Sequence, residues 1–249
     1  MYYTQKITSL FIIVILFSAF HFFYKKQAII EYDYVTPART EQQLEESIKK
    51  IKEILPEGDT REKIIALKIS DNKPSIFRKK LVFDNERAIY TDETMKNYPL
   101  KIGEYNVFFD IEKKEYIAQS YIFNKPFVVE KEVIELDWTY PNETKQIGAF
   151  KAKKAIAKKD TTFFAEVWYT NDLPAIPLED LYGLKGGIVE ATFAEGQKLI
   201  LKNFTTALSE EDIIEKPSKG KNISEKKFKL LEIQKTKELN EGAKNRIKN

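Results

Sequence analysis

Two stretches of this sequence carry residue types that do chemistry. Glu179 and Asp180 form an adjacent carboxylate pair, and Gly183-Leu184-Lys185-Gly186-Gly187 is a glycine-rich run. Paired carboxylates serve as general acid and base when they face one another across a cleft with different proton affinities. Glu179 and Asp180 are instead sequence neighbours in a loop, where solvated charge is the expected reading. Glycine-rich loops cradle phosphate when a helix N-terminus follows. Here a strand pattern follows and the Walker spacing is missing, so the run is expected to be a tight turn entering a strand. The composition closes other routes. The chain has no cysteine, which removes disulfides, thiolate metal sites and a thiol nucleophile. Its single histidine, His21, lies in an apolar run, which leaves no multi-histidine zinc site and argues against a histidine-based triad or general base. No catalytic, cofactor-binding or metal-ligating residue is expected, and no cofactor.

The elements around these residues read mainly as β. Ile30-Glu31-Tyr32-Asp33-Tyr34 alternates apolar and acidic side chains, the period of a half-buried strand. Strand patterns follow at 64–69, 77–83, 105–111, 116–123 and 127–133, then at 134–138, 147–156, 163–169, 187–193 and 199–205. Turn signals such as Asp71-Asn72-Lys73-Pro74, Pro141-Asn142, Lys159-Asp160 and Glu195-Gly196 separate them. The pattern predicts a mainly β, minor α+β fold. It would be a single antiparallel, curved sheet of about eight to ten strands with meander connections and one wet face. One helix interrupts the series at 41–55. Thr40 and Gln43 form its capping box, Leu44, Ile48, Ile51, Ile54 and Leu55 its apolar stripe, and Pro56-Glu57-Gly58 its stop. That stripe is expected to pack on the sheet.

Both ends of the chain differ from this body. Residues 1–28 read as a signal peptide or membrane anchor: Lys6 precedes the apolar run Leu10–Phe23, and Lys25-Lys26 closes it. The run is short of the roughly 20 apolar residues of a spanning helix, and no small-x-small cleavage site stands out after it. An uncleaved anchor in the inner membrane is therefore the alternative to export. The whole-chain charge of +3 comes from this segment, which carries three lysines and no acid. Residues 29–215 hold 27 basic and 34 acidic residues, and residues 216–249 hold 11 and 4. An acidic body and a basic, partly helical tail follow, joined by the turn-rich link 217–222. Acids interspersed in the tail and the absence of aromatic interleaving speak against nucleic acid. Membrane contact is open to the N-terminal segment and to the tail.

One set of short motifs suggests a family. Trp138, Lys145, Ile147, Gly148, Lys154 and Ala155 fall in order ahead of Trp168-Tyr169-Thr170, Asp172 and Pro174. Gly183, Leu184, Gly186, Gly187 and Ile188 then follow. In this order and spacing the chain resembles the GLPGLI family (also called the Porph_ging family), exported proteins of Bacteroidetes-type Gram-negative bacteria. The resemblance covers roughly Ile29 to Ser224. The hexapeptide is degenerate: Lys185 stands at its proline and Gly187 at its second leucine. The resemblance implies export to the periplasm or outer membrane and assigns these residues structural roles. It implies no activity. Asp160-Thr161-Thr162 also resembles the short O-glycosylation signal of that bacterial group. The function expected is an exported cell-envelope protein, a non-enzymatic binding or structural module for an envelope protein or a hydrophobic ligand. The alternative is a carboxylate-dependent envelope hydrolase.

Overall fold

A computed structural model describes residues 27–248. The expected signal or anchor segment and His21 lie outside the described residues, apart from Gln27 and Ala28. Thirteen strands form one sheet. In chain order they are β1 (Ala28–Thr36), β2 (Ser75–Phe83), β3 (Arg87–Asp92), β4 (Gly103–Asp110), β5 (Glu115–Ile122), β6 (Lys125–Glu130), β7 (Asp137–Thr139), β8 (Thr144–Ile147), β9 (Phe150–Lys159), β10 (Thr162–Thr170), β11 (Gly187–Phe193), β12 (Lys198–Thr205) and β13 (Lys221–Ser224). Four α-helices accompany them among the described residues: α1 (Glu41–Ile54), α2 (Asp59–Ser70), α3 (Glu93–Lys96) and α4 (Glu225–Lys248). The spatial order is β13-β6-β5-β4-β3-β2-β1-β12-β11-β10-β9-β7, with β8 also on β9.

The mainly β expectation holds, with corrections. The sheet is larger than eight to ten strands, and it is mixed because β13 joins β6 in parallel. A chain returning from the far side of the sheet can take either direction, and sequence pattern carries no such information. The turn-rich link at 217–222 is where β13 begins. The run 88–91, too short to stand out, is the centre of β3. Of the span 147–156, residues 150–156 lie in β9 as expected, while Ile147 ends β8 across the two-residue turn Gly148-Ala149. Only 137–139 of the alternating stretch around Trp138 pairs as a strand. After Asn240 the tail stays helical to Lys248.

The insert after β1 holds two helices, not one. The capping box of α1 is present as expected: the Gln43 N–H donates to Thr40 Oγ1 and the Thr40 N–H to Gln43 Oε1, at 3.3 and 3.0 Å. Residues 64–69, read as a strand, lie in α2. Asp59 and Glu62 favour its first turn. Its apolar residues are not gathered on one face, which hides the helical period; Leu67 and Ile69 are 60% and 51% exposed. α1 lies chiefly against α2, where packing on the sheet was expected. Asn72 clamps the base of this helical hairpin, its side chain bonding both the N–H and the C=O of Arg39.

The sheet is strongly curved. Trp138 of β7 and Tyr116 of β5 both contact Tyr182. Nine strand steps separate those two strands, about 43 Å in a flat sheet at ~4.8 Å per step. The irregular segment 171–186 fills the inside of the curve as a plug. Leu173, Ile176, Leu178, Leu181 and Leu184 bury there against Ile30, Tyr32, Leu81, Phe109 and Val167 in one cluster. On the outer face, the segment 206–220 runs as a strap from β12 to β13. Beneath it Ile29, Val82, Ile89 and Phe108 form a second cluster with Ile214 of the strap. The two central apolar runs of β1 and β2 are thus buried on both faces. The expected wet face is the outer side of β9, β10 and β11, and it continues over β12 and the distal halves of β1 and β2, where Lys202, Glu31 and Arg78 are exposed.

Candidate functional site

The family-like residues assemble in two places. On the inner face, Trp138 Nε1 donates to the Tyr182 carbonyl at 2.7 Å, and its ring stacks on Tyr140. Tyr140 in turn meets the edge of Tyr169. Gly183 lies beside Trp138 with φ +80°, the conformation that favours glycine in a tight turn. Gly186 lies against β10, and a Cβ there would stand 2.3 Å from the Thr170 carbonyl oxygen. Of the three glycines only Gly183 takes positive φ; Gly186 and Gly187 serve close approach. Thr170 donates from its hydroxyl to Asp172 Oδ2 at 3.0 Å and accepts from the Asp172 N–H. Pro174 and Leu184 continue the plug, and the buried Ile188 accepts the Tyr32 hydroxyl at 2.9 Å. Ala155 is fully buried opposite Val167. The glycine-rich run is therefore the lock that closes the plug onto the sheet, with no helix behind it.

The second group lies on the outer face. Trp168 is roofed by Lys145 at 4.3 Å and Lys154 at 5.8 Å. These lysines pair with Glu190 at 3.1 Å and with Glu166 and Glu143 at 3.1 and 3.4 Å. Ile147 and Gly148 form the hairpin turn that brings Lys145 there. Lys145 of β8 thus reaches over β9 and β10 to Glu190 of β11, closing a charged roof over Trp168. Asp160 and Thr161 sit at the exposed tip of the hairpin between β9 and β10, with positive φ of 48° and 69°.

Glu179 and Asp180 are not solvated loop charge. They stand at the inner tip of the plug, both at positive φ, 51° and 61°. Glu179 accepts the Tyr90 hydroxyl at 2.8 Å. Asp180 lies 3.3 Å from Lys131 Nζ, which also binds Glu104 at 3.0 Å and Glu225 at 3.4 Å. This node joins β4, the end of β6, the plug and the start of α4. Desolvation would lower the Lys131 ammonium, but Glu104, Asp180 and Glu225 outweigh it and raise it well above the ordinary lysine range. Desolvation raises the Glu104 carboxyl, with Lys131 opposing. Burial would raise Glu225 too, yet hydrogen bonds from Lys229 and the Glu132 N–H, with Lys131 nearby, hold it below the usual carboxylate range. The enclosed space here is only about 60 Å³. Among the described residues no group of three acidic or histidine side chains could hold a metal ion. Sequence spacing gave no sign of this node, because its members come from four separate elements.

A larger opening lies beside the node. It is a crevice of about 350 Å³ between the β4–β5 hairpin, Val133 and the plug. Ile111, Tyr116, Val133, Ile176, Leu181 and Leu184 line it, with Lys114 at the rim. A wider groove of about 890 Å³ runs along the strap on the outer face, where Ile117, Val128, Pro217 and Ile223 are interleaved with Glu115, Glu130, Lys216, Lys221 and Lys227. Apolar walls with a few polar groups are the usual make-up of a small-ligand site, and the inner crevice has them.

No family model matches the chain. No curated protein matches it. Among solved structures it is similar to PNGF-II, seen in two crystal forms. The TM-scores are 0.53 and 0.52 at 14% identity, over 84% of this chain and 33% and 34% of that protein. The chain thus spans about a third of the length of PNGF-II, and the likeness is one of fold alone. An uncharacterized conserved protein from Thermus thermophilus aligns at a TM-score of 0.40 and 8% identity, over 80% of this chain and 91% of that one. Among the described residues no helix is long and apolar enough to cross a membrane.

Proposed function

We propose that this chain is an exported cell-envelope protein acting as a non-enzymatic binding module, which takes an apolar group of its ligand or partner into the inner crevice. The observation that carries the reading is the crevice itself: about 350 Å³ walled by Ile111, Tyr116, Val133, Ile176, Leu181 and Leu184. Export is supported by the run Leu10–Phe23 flanked by lysines and by the resemblance to exported GLPGLI proteins. The acids beside the crevice are each engaged: Glu179 by Tyr90, and Glu104, Asp180 and Glu225 by Lys131. That engagement gives carboxylate-dependent hydrolysis the weaker support, since among the described residues neither a poised acid nor a free base lines the crevice.

A titration with a neutral, environment-sensitive naphthalene dye tests the site. Wild-type protein is expected to bind one dye with a blue-shifted emission. Ala175 is exposed and lines the crevice, so Ala175→Trp fills it without disturbing the core. The variant should melt like wild type and bind the dye at least about tenfold more weakly. Equal binding by a folded A175W, or none by wild type, sinks the reading. Cell fractionation tests the compartment: recovery with the soluble cytoplasm contradicts export.

A further inference from the structure

We propose that the ligand of this crevice is a single-chain carboxylate amphiphile, a medium-chain fatty acid, whose alkyl chain enters the crevice while its carboxylate rests on Lys114. This deepens the crevice reading and rests on it.

Three observations select the ligand class. The first is charge at the rim. Lys114 is exposed in the β4–β5 turn at φ +53°, and it makes no ion pair among the described residues. In the same turn Lys113 holds Asp110 at 2.7 Å, Glu115 is held by Lys216 at 2.6 Å, and Glu112 is exposed; of these, Lys114 is the charged side chain that lines the crevice. One cation is therefore left at the mouth of an apolar slot, complementary to one anionic head. The second is size. A volume of about 350 Å³ falls at the small end of the roughly 300–1,000 Å³ of small-ligand sites, the scale of a single short alkyl chain. The third is position. Ala28, Phe83, Ala88 and Phe109 lie in one row across β1 to β4, and Ile111 at the crevice follows just beyond Phe109. The mouth thus opens at the end of the sheet where residues 1–26, with their apolar run, join the body.

Decanoate and its uncharged analogue decanol, each titrated calorimetrically into the full chain below their aggregation limits, separate head from chain. Wild type is expected to prefer decanoate by about three- to fivefold, the scale of an exposed charge pair. Lys114→Glu should erase or invert that preference and leave decanol unchanged. A175W should abolish both. Equal affinities in wild type, or a preference that survives K114E, overturn the proposal while the crevice reading stands. Dye binding without binding of either ten-carbon ligand also overturns it. Loss of dye binding as well removes the crevice reading.

Discussion

Two irregular segments cross this sheet, one on each face, and they are held by different physics. The plug at 171–186 sinks Leu173, Ile176, Leu178, Leu181 and Leu184 into the inner core, none more than 6% exposed. The strap at 206–220 buries one apolar side chain, Ile214, while its neighbour Ile213 stays 61% exposed. Charge and polar bonds tie it down instead. Asp212 meets Lys80 at 2.8 Å, Lys216 meets Glu115, and the Lys219 carbonyl accepts from Gln119. Apolar burial scales with area and hardly depends on salt. Partly exposed ion pairs are screened and modest. The plug is thus part of the fold, and the strap is a cover fastened at points.

This contrast orders the effects of substitution. Leu178→Ala in the plug removes a side chain 1% exposed and should cost about 2–5 kcal/mol. At ~2–4 °C per kcal/mol for a chain of this size, thermal melting reads that as a loss of several degrees. Gly186→Ala forces a Cβ against the Thr170 carbonyl; overpacking of this kind should cost about 1–3 kcal/mol. Asp212→Ala in the strap leaves Lys80 unpaired but 23% exposed, so about 1–2 kcal/mol is expected. Ile213→Ser should change stability by less than about 0.5 kcal/mol. A strap variant that costs more than L178A would break the comparison.

Acid sharpens it further. Burial opposes ionisation of Asp212, but hydrogen bonds from Lys80 and Ser209 outweigh it and hold its carboxyl below the usual range. A depressed folded value means that the unfolded chain binds the proton more readily. The strap's contribution is therefore present above the ordinary aspartate range and is lost as pH falls below about 4. Hydrogen exchange between pH 6 and pH 3 should show Val82 and Ile89 under the strap losing protection before Val167 and Ile188 beside the plug. Simultaneous loss on both faces would contradict separate fastening.

How far the sequence foretells this structure depends on whether a feature is local. Alternation around Tyr32 and Trp168 is a one-strand property, and those strands fall where the pattern puts them. The Thr40–Gln43 cap is equally local and correct. α2 is missed because Ile64, Ile65, Leu67 and Ile69 circle the helix instead of marking one side. β13 is missed because four residues between a turn and a helix become a strand only when β6 offers its edge. The Lys131 node is illegible for the same reason: Glu104, Lys131, Asp180 and Glu225 meet only after the sheet has curled. The crevice is a product of that curl too, so the sequence could suggest a module for a hydrophobic ligand but could not name the walls of its site.

The account depends most on where an apolar ligand goes. Methyl-resolved NMR during a titration with the neutral dye locates it directly. The predicted result is perturbation of Ile111, Val133, Ile176, Leu181 and Leu184, with Ile213 and Ile214 of the strap and Leu67 and Ile69 of the helical hairpin unmoved. Shifts concentrated on the strap or the hairpin, with the crevice methyls silent, would contradict it.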